Sequence, residues 1–139
     1  MRRFKFNLEK ILQLRKFREE ECKLALGQAV AALNRIENEI METAVKRHSA
    51  ASNRFADVRE MLSWENYILR LDMQAQKLTE QAAQAELVVE EKRALYLEAS
   101  KDLKAIEKLK EKQQKEYRKE MFNSEMAEVD DITAARYFL

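Results

Sequence analysis

The fold is decided by residues 64–106, which read WENYILRLDMQAQKLTEQAAQAELVVEEKRALYLEASKDLKAI. Alternate steps of four and three residues along this stretch meet thirteen positions, of which only Lys92 is not apolar. The positions are Trp64, Ile68, Leu71, Ala75, Leu78, Ala82, Ala85, Val89, Lys92, Tyr96, Ala99, Leu103 and Ile106. A heptad repeat of this length is typical of a coiled coil, because the apolar stripe needs a partner helix to cover it. Further stepping meets mostly polar residues, so the stripe is predicted to end near Ile106.

The first third of the chain carries a second, less regular apolar stripe. Its positions are Leu26, Ala29, Leu33, Ile36, Ile40, Ala44 and His48. Another apolar face, over residues 4–12, precedes a polar stretch at residues 15–21. Together these stripes predict a first helix that packs against the helix of residues 64–106.

The turn between the two helices is predicted at residues 49–56, which contain Ser and Asn side chains that compete with helical hydrogen bonds. Asp57 and Glu60 then have the spacing of a capping box, in which each side chain accepts from the backbone N–H of the other residue. We therefore predict helix 1 over about residues 5–50, a loop over about 51–57 and helix 2 over about 58–131, in a single domain of residues 1–139.

A chain that folds back at this loop brings together residues whose numbers add to about 108, so that Ile40 faces Ile68 and Phe4 lies near Lys104. The sequence thus predicts an all-α fold, a long two-helix antiparallel coiled-coil hairpin with an overhanging C-terminal helix. Helix 2 would be paired to about residue 106 and unpaired beyond, where a polar helix frays or becomes ordered on a partner. A continuous helix that dimerises in parallel is the alternative, because the proposed turn has neither Pro nor Gly.

The composition excludes several classes of protein. The 139 residues include no Pro and one Gly, and 37% of them are charged, which is typical of long helices and not of a many-loop fold. Cys22 is the only cysteine, so no intramolecular disulfide can form. No run of about 18 apolar residues is present, so a cytoplasmic protein without a membrane span is predicted.

The sequence contains no recognisable catalytic, cofactor or metal motif. His48 is the only histidine, and a two-helix hairpin has no interior wide enough for a typical ligand pocket. Neighbouring carboxylates such as Glu90 and Glu91 point about 100° apart on a helix and do not converge on a metal. We therefore predict a protein that is not an enzyme and has no cofactor.

The charge of the C-terminal part is asymmetric. Residues 101–119 hold eight Lys or Arg against four acids, whereas residues 120–139 hold five acids and one Arg. This pattern favours electrostatic docking on a protein or a solubilising role, and the aromatic side chains are not interleaved with the basic ones as nucleic-acid binding would need. Residues 4–17 are basic and amphipathic, which suits an anionic membrane surface. Packing or partner contact is favoured over this, because the hairpin already uses one face.

Three stretches match a family pattern in order and spacing. The opening F-x-F-x-L-E-x-[VI]-L-x-L-[RK] is met by Phe4, Phe6, Leu8, Glu9, Ile11, Leu12, Leu14 and Arg15. The pattern V-x-E-M, with an aromatic and then L-D, is met by Val58, Glu60, Met61, Trp64, Tyr67, Ile68, Leu71 and Asp72. The closing E-K-x-[RK]-E-K-Q and D-D-I are met at residues 107–113 and 130–132. Together these stretches resemble the FliJ family of flagellar type III protein export.

The resemblance implies a cytoplasmic coiled coil at the inner face of the membrane, similar to the central stalk subunit of rotary ATP synthases. It implies three partners: the hexameric flagellar export ATPase, the cytoplasmic domain of the export gate, and export chaperones. It further implies a role in flagellum biogenesis, and hence in motility and chemotaxis, with at most peripheral membrane association and no nucleic acid. The alternative is a structural scaffold or a peripheral membrane adaptor that does not touch an ATPase.

The candidate protein-binding residues combine these motifs with the aromatic and charged positions noted above. They are Phe4, Phe6, Leu8, Ile11, Leu12, Arg15, Trp64, Tyr67, Lys108, Lys112, Tyr117, Asp130 and Asp131.

Overall fold

The structure, a computed structural model, describes residues 3–52 and 54–137. In this part of the chain two long helices pack against each other, α1 (Glu9–Ala51) and α2 (Val58–Tyr137), and no strand is present. The predicted all-α helical hairpin is confirmed. Helix α1 begins at Glu9 and not near residue 5, and α2 continues to Tyr137 and not only to about 131. The predicted loop included Asn53, which lies outside the described residues.

The α2 side of the interface follows the heptad stripe found in the sequence. All thirteen positions of that stripe are buried or half-buried, including Lys92. Leu71, Leu78, Val89 and Ile106 are the largest of the buried ones. The stripe is therefore the buried face of α2, as its spacing predicts, because steps of four and three residues keep one face of a helix against its partner.

The α1 side is more regular than the sequence indicated. A single repeat of four-residue and three-residue steps begins just before α1 and continues to its last turn, and all its members except Arg47 are buried or half-buried. The members are Leu8, Leu12, Arg15, Glu19, Cys22, Leu26, Ala29, Leu33, Ile36, Ile40, Thr43, Arg47 and Ala50. Ala44 and His48, which the sequence assigned to the stripe, are exposed, so that assignment is wrong.

Polar residues at several positions made this repeat hard to recognise in the sequence, and the polar groups of Thr43 and Arg47 have partners in the structure. The Thr43 hydroxyl donates to the Glu39 carbonyl over 2.8 Å, so a buried Thr fits at an apolar position. Arg47 pairs with Asp72 of α2 across the seam, which is the line along which the two stripes meet. Neither position carries an unpaired buried polar group, because each side chain has a partner close by.

The capping box at the start of α2 is present with one altered partner. The backbone N–H of Glu60 donates to Asp57 Oδ1 over 2.8 Å, as predicted. Glu60 Oε2 accepts from the N–H of Ala56 over 3.1 Å, one residue earlier than predicted. The ring of Phe55 lies 6.5 Å from that of Trp64, so the loop runs beside the first two turns of α2.

This arrangement of the loop shifts the register of the hairpin. Polar pairs between the two sides of the hairpin have residue numbers that add to 117–119, so the predicted sum of about 108 and the facing pairs derived from it are wrong. The pairs are Arg47 with Asp72, Arg15 with Asp102, and Glu9 with Lys110. The shift arises because α2 begins at Val58 and extends past the end of α1 before the two helices meet.

The chain forms two compact units, one from the residues up to Glu20 with those from Glu98 onward, the other from Glu21–Leu97. In the first unit Phe6, Leu12 and Ile106 form a buried cluster, with Phe4, Leu8 and Leu103 packed against it. In the second unit the buried side chains include Thr43, Leu71, Leu78 and Val89. The prediction of one domain over residues 1–139 stays a prediction.

Candidate protein-binding site

The N-terminal segment, residues 3–8, precedes α1 and is not helical. Phe6 is buried beside Leu12 of α1 and Ile106 of α2, so it fastens the segment to the hairpin. A non-helical chain advances about 3.3 Å per residue against 1.5 Å in a helix, so these residues reach further along α2 than a helix would. The Phe4 ring therefore lies 5.5 Å from the ring of Tyr117, and not beside Lys104 as the helical register predicted.

Polar contacts hold the start of α1 on the same unit. Lys110 Nζ lies 3.0 Å from Glu9 Oε2, and Arg15 Nη1 donates to the Asp102 carbonyl over 2.9 Å. The hydrogen bond from Lys110, followed by one from Gln13, lowers the pKa of the Glu9 carboxyl below its usual value. Arg15 thus has a structural role, because its guanidinium covers a backbone carbonyl of α2.

The predicted protein-binding residues of this region divide by exposure. Phe6 and Leu12 are buried and can act on a partner only by positioning the segment, whereas Ile11 is exposed. Phe4, Leu8, Arg15 and Tyr117 are half-buried. The structure brings Phe4 and Tyr117 together at the point where the N-terminal segment ends.

Contacts with the N-terminal side continue along α2 to Tyr117, and the predicted end of pairing near residue 106 is therefore too early. Lys110, Gln113 and Tyr117 continue the heptad steps and are half-buried in spite of their polar groups. The pairing extends because the non-helical segment covers two more turns of α2.

Beyond Tyr117, residues 118–137 of α2 form the overhang. Every described side chain in it is exposed except the half-buried Met121. Several large apolar side chains are among the exposed ones, namely Phe122, Met126, Val129, Ile132 and Tyr137. Asp130 and Asp131 lie in this overhang, and Lys108 and Lys112 precede it; all four are exposed. The sequence analysis selected the charged residues here but missed Phe122, Met126 and Val129. Their spacing of four and three residues places them on one face of the helix and was the available signal.

A cluster of aromatic rings lies at the turn, in the second unit. Trp64 and Tyr67 meet edge to face with their ring centres 5.5 Å apart, and the Phe55 ring centre lies 6.5 Å from that of Trp64. The two predicted residues are half-buried, and the exposed Met61 lies three residues before Trp64 on the same side of α2. Phe55 was not among the predicted protein-binding residues. The only signal for it in the sequence was a large aromatic side chain in a loop of small residues.

Two kinds of feature are absent from the described residues. Over residues 3–52 and 54–137, no three His, Cys, Asp or Glu side chains come close enough to hold a metal ion. Within the same ranges, no helix has the length and apolar character needed to span a membrane. The described surface instead carries exposed apolar and charged side chains on long helices. Side chains of this kind form protein–protein contacts.

Residues 4–139 match the family model described as Flagellar FliJ protein. The chain belongs to the FliJ family. No curated protein and no solved structure matches it. The family match covers both the N-terminal segment and the overhang, so the FliJ family accounts for nearly the whole chain and not only for its coiled-coil centre. Membership makes the chain a component of flagellar protein export.

Proposed function

We propose that this FliJ-family chain is a non-enzymatic stalk of the flagellar export apparatus, which binds the hexameric export ATPase, promotes its assembly and couples it to the export gate. Family membership supports the apparatus and the absence of a catalytic role. The overhang supports the ATPase contact, because it is a helix of about five turns that the other described residues leave uncovered.

The overhang suits insertion into a ring for physical reasons. Phe122, Met126 and Val129 lie at steps of four and three residues and present one apolar stripe. A stripe of this kind docks in grooves between helices, and the cost of leaving it in water favours such docking. The Phe4–Tyr117 and Glu9–Lys110 contacts hold α2 in place in the first unit, just before the overhang begins. The overhang is therefore anchored at its start.

The test compares two double variants of equal chemistry. Met126→Asp with Val129→Asp places two charges on the overhang, where the wild-type side chains are 47% and 55% exposed. The control, Val88→Asp with Leu97→Asp, changes side chains that are 43% and 53% exposed in the second unit. We expect the overhang variant to lose stimulation of the export ATPase and the control to keep it, as measured by phosphate release with purified proteins. Equal stimulation by both variants would overturn the proposed ATPase contact.

For the gate, we propose the aromatic cluster at the turn. Phe55, Trp64 and Tyr67 offer a half-buried aromatic surface, and such surfaces are enriched at contact hot spots. Trp64→Ala with Tyr67→Ala should weaken binding of the cytoplasmic gate domain at least about tenfold in titration calorimetry, by loss of buried aromatic area. Unchanged gate affinity in this variant would remove the cluster from the proposal.

The alternatives give different results in the same experiments. A scaffold that never touches the ATPase predicts no stimulation by the wild-type chain. A peripheral adaptor predicts binding to anionic liposomes that is lost at high salt. Escort of export chaperones is part of the proposal and predicts a complex of this chain with a chaperone that survives gel filtration.

A further inference from the structure

One face of α2 carries a row of lysines that continues into an apolar stripe. Alternate steps of four and three residues from Lys101 stay on this face, which we name the outer face. Its members are Lys101, Ala105, Lys108, Lys112, Lys115, Lys119, Phe122, Met126, Val129 and Thr133. All ten are exposed. The helix contains neither Gly nor Pro over this length, so nothing interrupts the row.

The outer face lies opposite the side of α2 that the N-terminal segment covers. The covered side includes Ile106, Lys110 and Tyr117, which contact Leu12, Glu9 and Phe4 in turn. About 100° of rotation per residue puts this covered side roughly half a turn from the lysine row. A partner on the outer face would therefore leave the packing of the first unit intact.

The two halves of this stretch have equal and opposite charge. Residues 101–119 carry eight basic and four acidic side chains, a net charge of +4. Residues 120–137 carry five acidic and one basic side chain, a net charge of −4.

We propose that, in the chain free of the ATPase, the outer face binds the same face of a second copy of this chain, with the two α2 helices antiparallel. This dimer separates when the stripe of Phe122, Met126 and Val129 enters the ATPase, because the two partners use the same stripe. The two-fold axis passes between Glu120 and Met121, so that the basic half of each copy lies on the acidic half of the other. A parallel arrangement would place like charges together along the whole contact. Antiparallel pairing satisfies both halves at once, because an isologous interface repeats each contact.

The side chains fit this pairing. With the axis in that place, Lys115 and Lys112 of one copy lie across from Met126 and Val129 of the other. The aliphatic stems of the lysines cover the apolar stripe, and their ammonium groups reach the acids beside it, Glu125 and Asp130. The charges remain near water, so the association depends on salt.

The bipolar charge also favours a second copy over a phosphate-rich partner. An anionic membrane or nucleic acid would attract the lysine row but repel the five acids that follow it. Another copy of the chain provides the complementary order of charge over the same length.

The experiment is sedimentation of the full-length chain over a range of concentrations, without the ATPase, so its outcome is separate from that of the proposed stalk function. We expect a reversible dimer in low salt whose dissociation constant rises at least about tenfold between about 50 mM and 500 mM NaCl. A chain that is monomeric at every concentration in low salt would overturn the proposal.

Charge-reversed variants identify the surface. Lys108→Glu with Lys112→Glu and Lys115→Glu should abolish the dimer, whereas the control Lys23→Glu with Lys46→Glu and Lys77→Glu has the same change in net charge at exposed sites of the second unit and should keep it. A second variant, Glu125→Lys with Glu128→Lys and Asp130→Lys, should also be monomeric alone. Circular dichroism checks that each variant keeps its helical content.

Mixing the two monomeric variants is the decisive step. Each then meets a partner with the opposite charge on both halves, so a heterodimer should form with an affinity close to that of the wild type. Cysteines in place of Lys119 in one copy and of Phe122 in the other face each other across the proposed axis and should form a disulfide, whereas cysteines at Lys119 and Thr133 should not. Failure to recover the heterodimer, or a crosslink only between positions 119 and 133, would contradict antiparallel pairing.

Discussion

Replacement of Leu12 by Ala tests the packing that holds the N-terminal segment on α2. Leu12 is 2% exposed and forms a buried cluster with Phe6 and Ile106. The substitution removes three carbon atoms, and about 0.8 kcal/mol per buried CH₂ gives about 2.4 kcal/mol of lost transfer free energy. A residual cavity adds to this, although a thin two-helix core can partly collapse around it, so we expect a total of about 2.5–3.5 kcal/mol.

The chain supplies its own control two residues away. Leu14 is the same residue type in the same helix but is 67% exposed, so Leu14→Ala should change the free energy of unfolding by less than about 0.5 kcal/mol. At about 3 °C per kcal/mol for a chain of this size, Leu12→Ala should lower the melting temperature by about 8 °C and Leu14→Ala by less than 2 °C.

The assay follows urea and thermal unfolding with two signals. Circular dichroism reports all helices, whereas fluorescence of Trp64, the single tryptophan, reports the second unit. Leu12→Ala should shift the dichroism transition at least as far as the Trp64 transition, because the lost packing lies in the first unit. Equal effects of the Leu12 and Leu14 substitutions would refute the assignment of Leu12 to the core.

Other substitutions test the seam, the turn and the ion pair. Leu78→Asp places a charge at a buried seam position and should cost several kcal/mol, about 3–5, in urea unfolding, whereas Leu87→Asp at an exposed site should cost less than 1. Asp57→Ala removes the acceptor for the Glu60 N–H and should cost about 1 kcal/mol, with lower hydrogen-exchange protection confined to the first turn of α2. Lys110→Met should raise the pKa of Glu9 toward its ordinary value of 4.5 in an NMR titration, since Lys110 is the main cause of its lowered pKa. Because the folded-state pKa is the lower one, the stability that this pair contributes is present above pH 4.5 and is lost as the pH falls through the lowered pKa. The Lys110 variant should show this dependence more weakly, since the hydrogen bond from Gln13 remains.

The α2 stripe was predictable because twelve of its thirteen positions are apolar, so the spacing alone marks the buried face. The α1 repeat was not, because Arg15, Glu19, Thr43 and Arg47 occupy seam positions and resemble surface residues. Only the structure reveals that Thr43 bonds a carbonyl of its own helix and that Arg47 meets Asp72 across the hairpin. A polar residue at a seam position is recognised from its hydrogen-bond or ion-pair partner in the folded chain. The sequence alone does not show which residue that partner is.

The register was missed for a related reason. The capping box at Asp57 is local and was found from spacing, but it fixes only where α2 begins. How far α2 runs before it meets α1 depends on the packing of Phe55 on Trp64, a contact between the loop and the helix. The reach of the N-terminal segment to Tyr117 similarly depends on its non-helical backbone, which the apolar spacing of Phe4, Phe6 and Leu8 does not reveal.

Exposure separates the predicted protein-binding residues into two groups, although their role in binding stays a prediction. Lys108, Lys112, Asp130 and Asp131 are exposed as a docking surface requires. Phe6 and Leu12 instead belong to the core, because the family motif at the start of the chain includes residues that fold it. Sequence similarity alone does not separate the two roles, whereas burial does.

The most direct test of the central claim, that the overhang is the surface that enters the export ATPase, is site-specific photocrosslinking. A benzoylphenylalanine at position 122 replaces an exposed aromatic side chain on the overhang, and one at Leu87 probes an equally exposed site in the second unit. We predict a strong crosslink to the ATPase hexamer from position 122 and none from position 87. A crosslink from position 87 with none from position 122 would contradict the account.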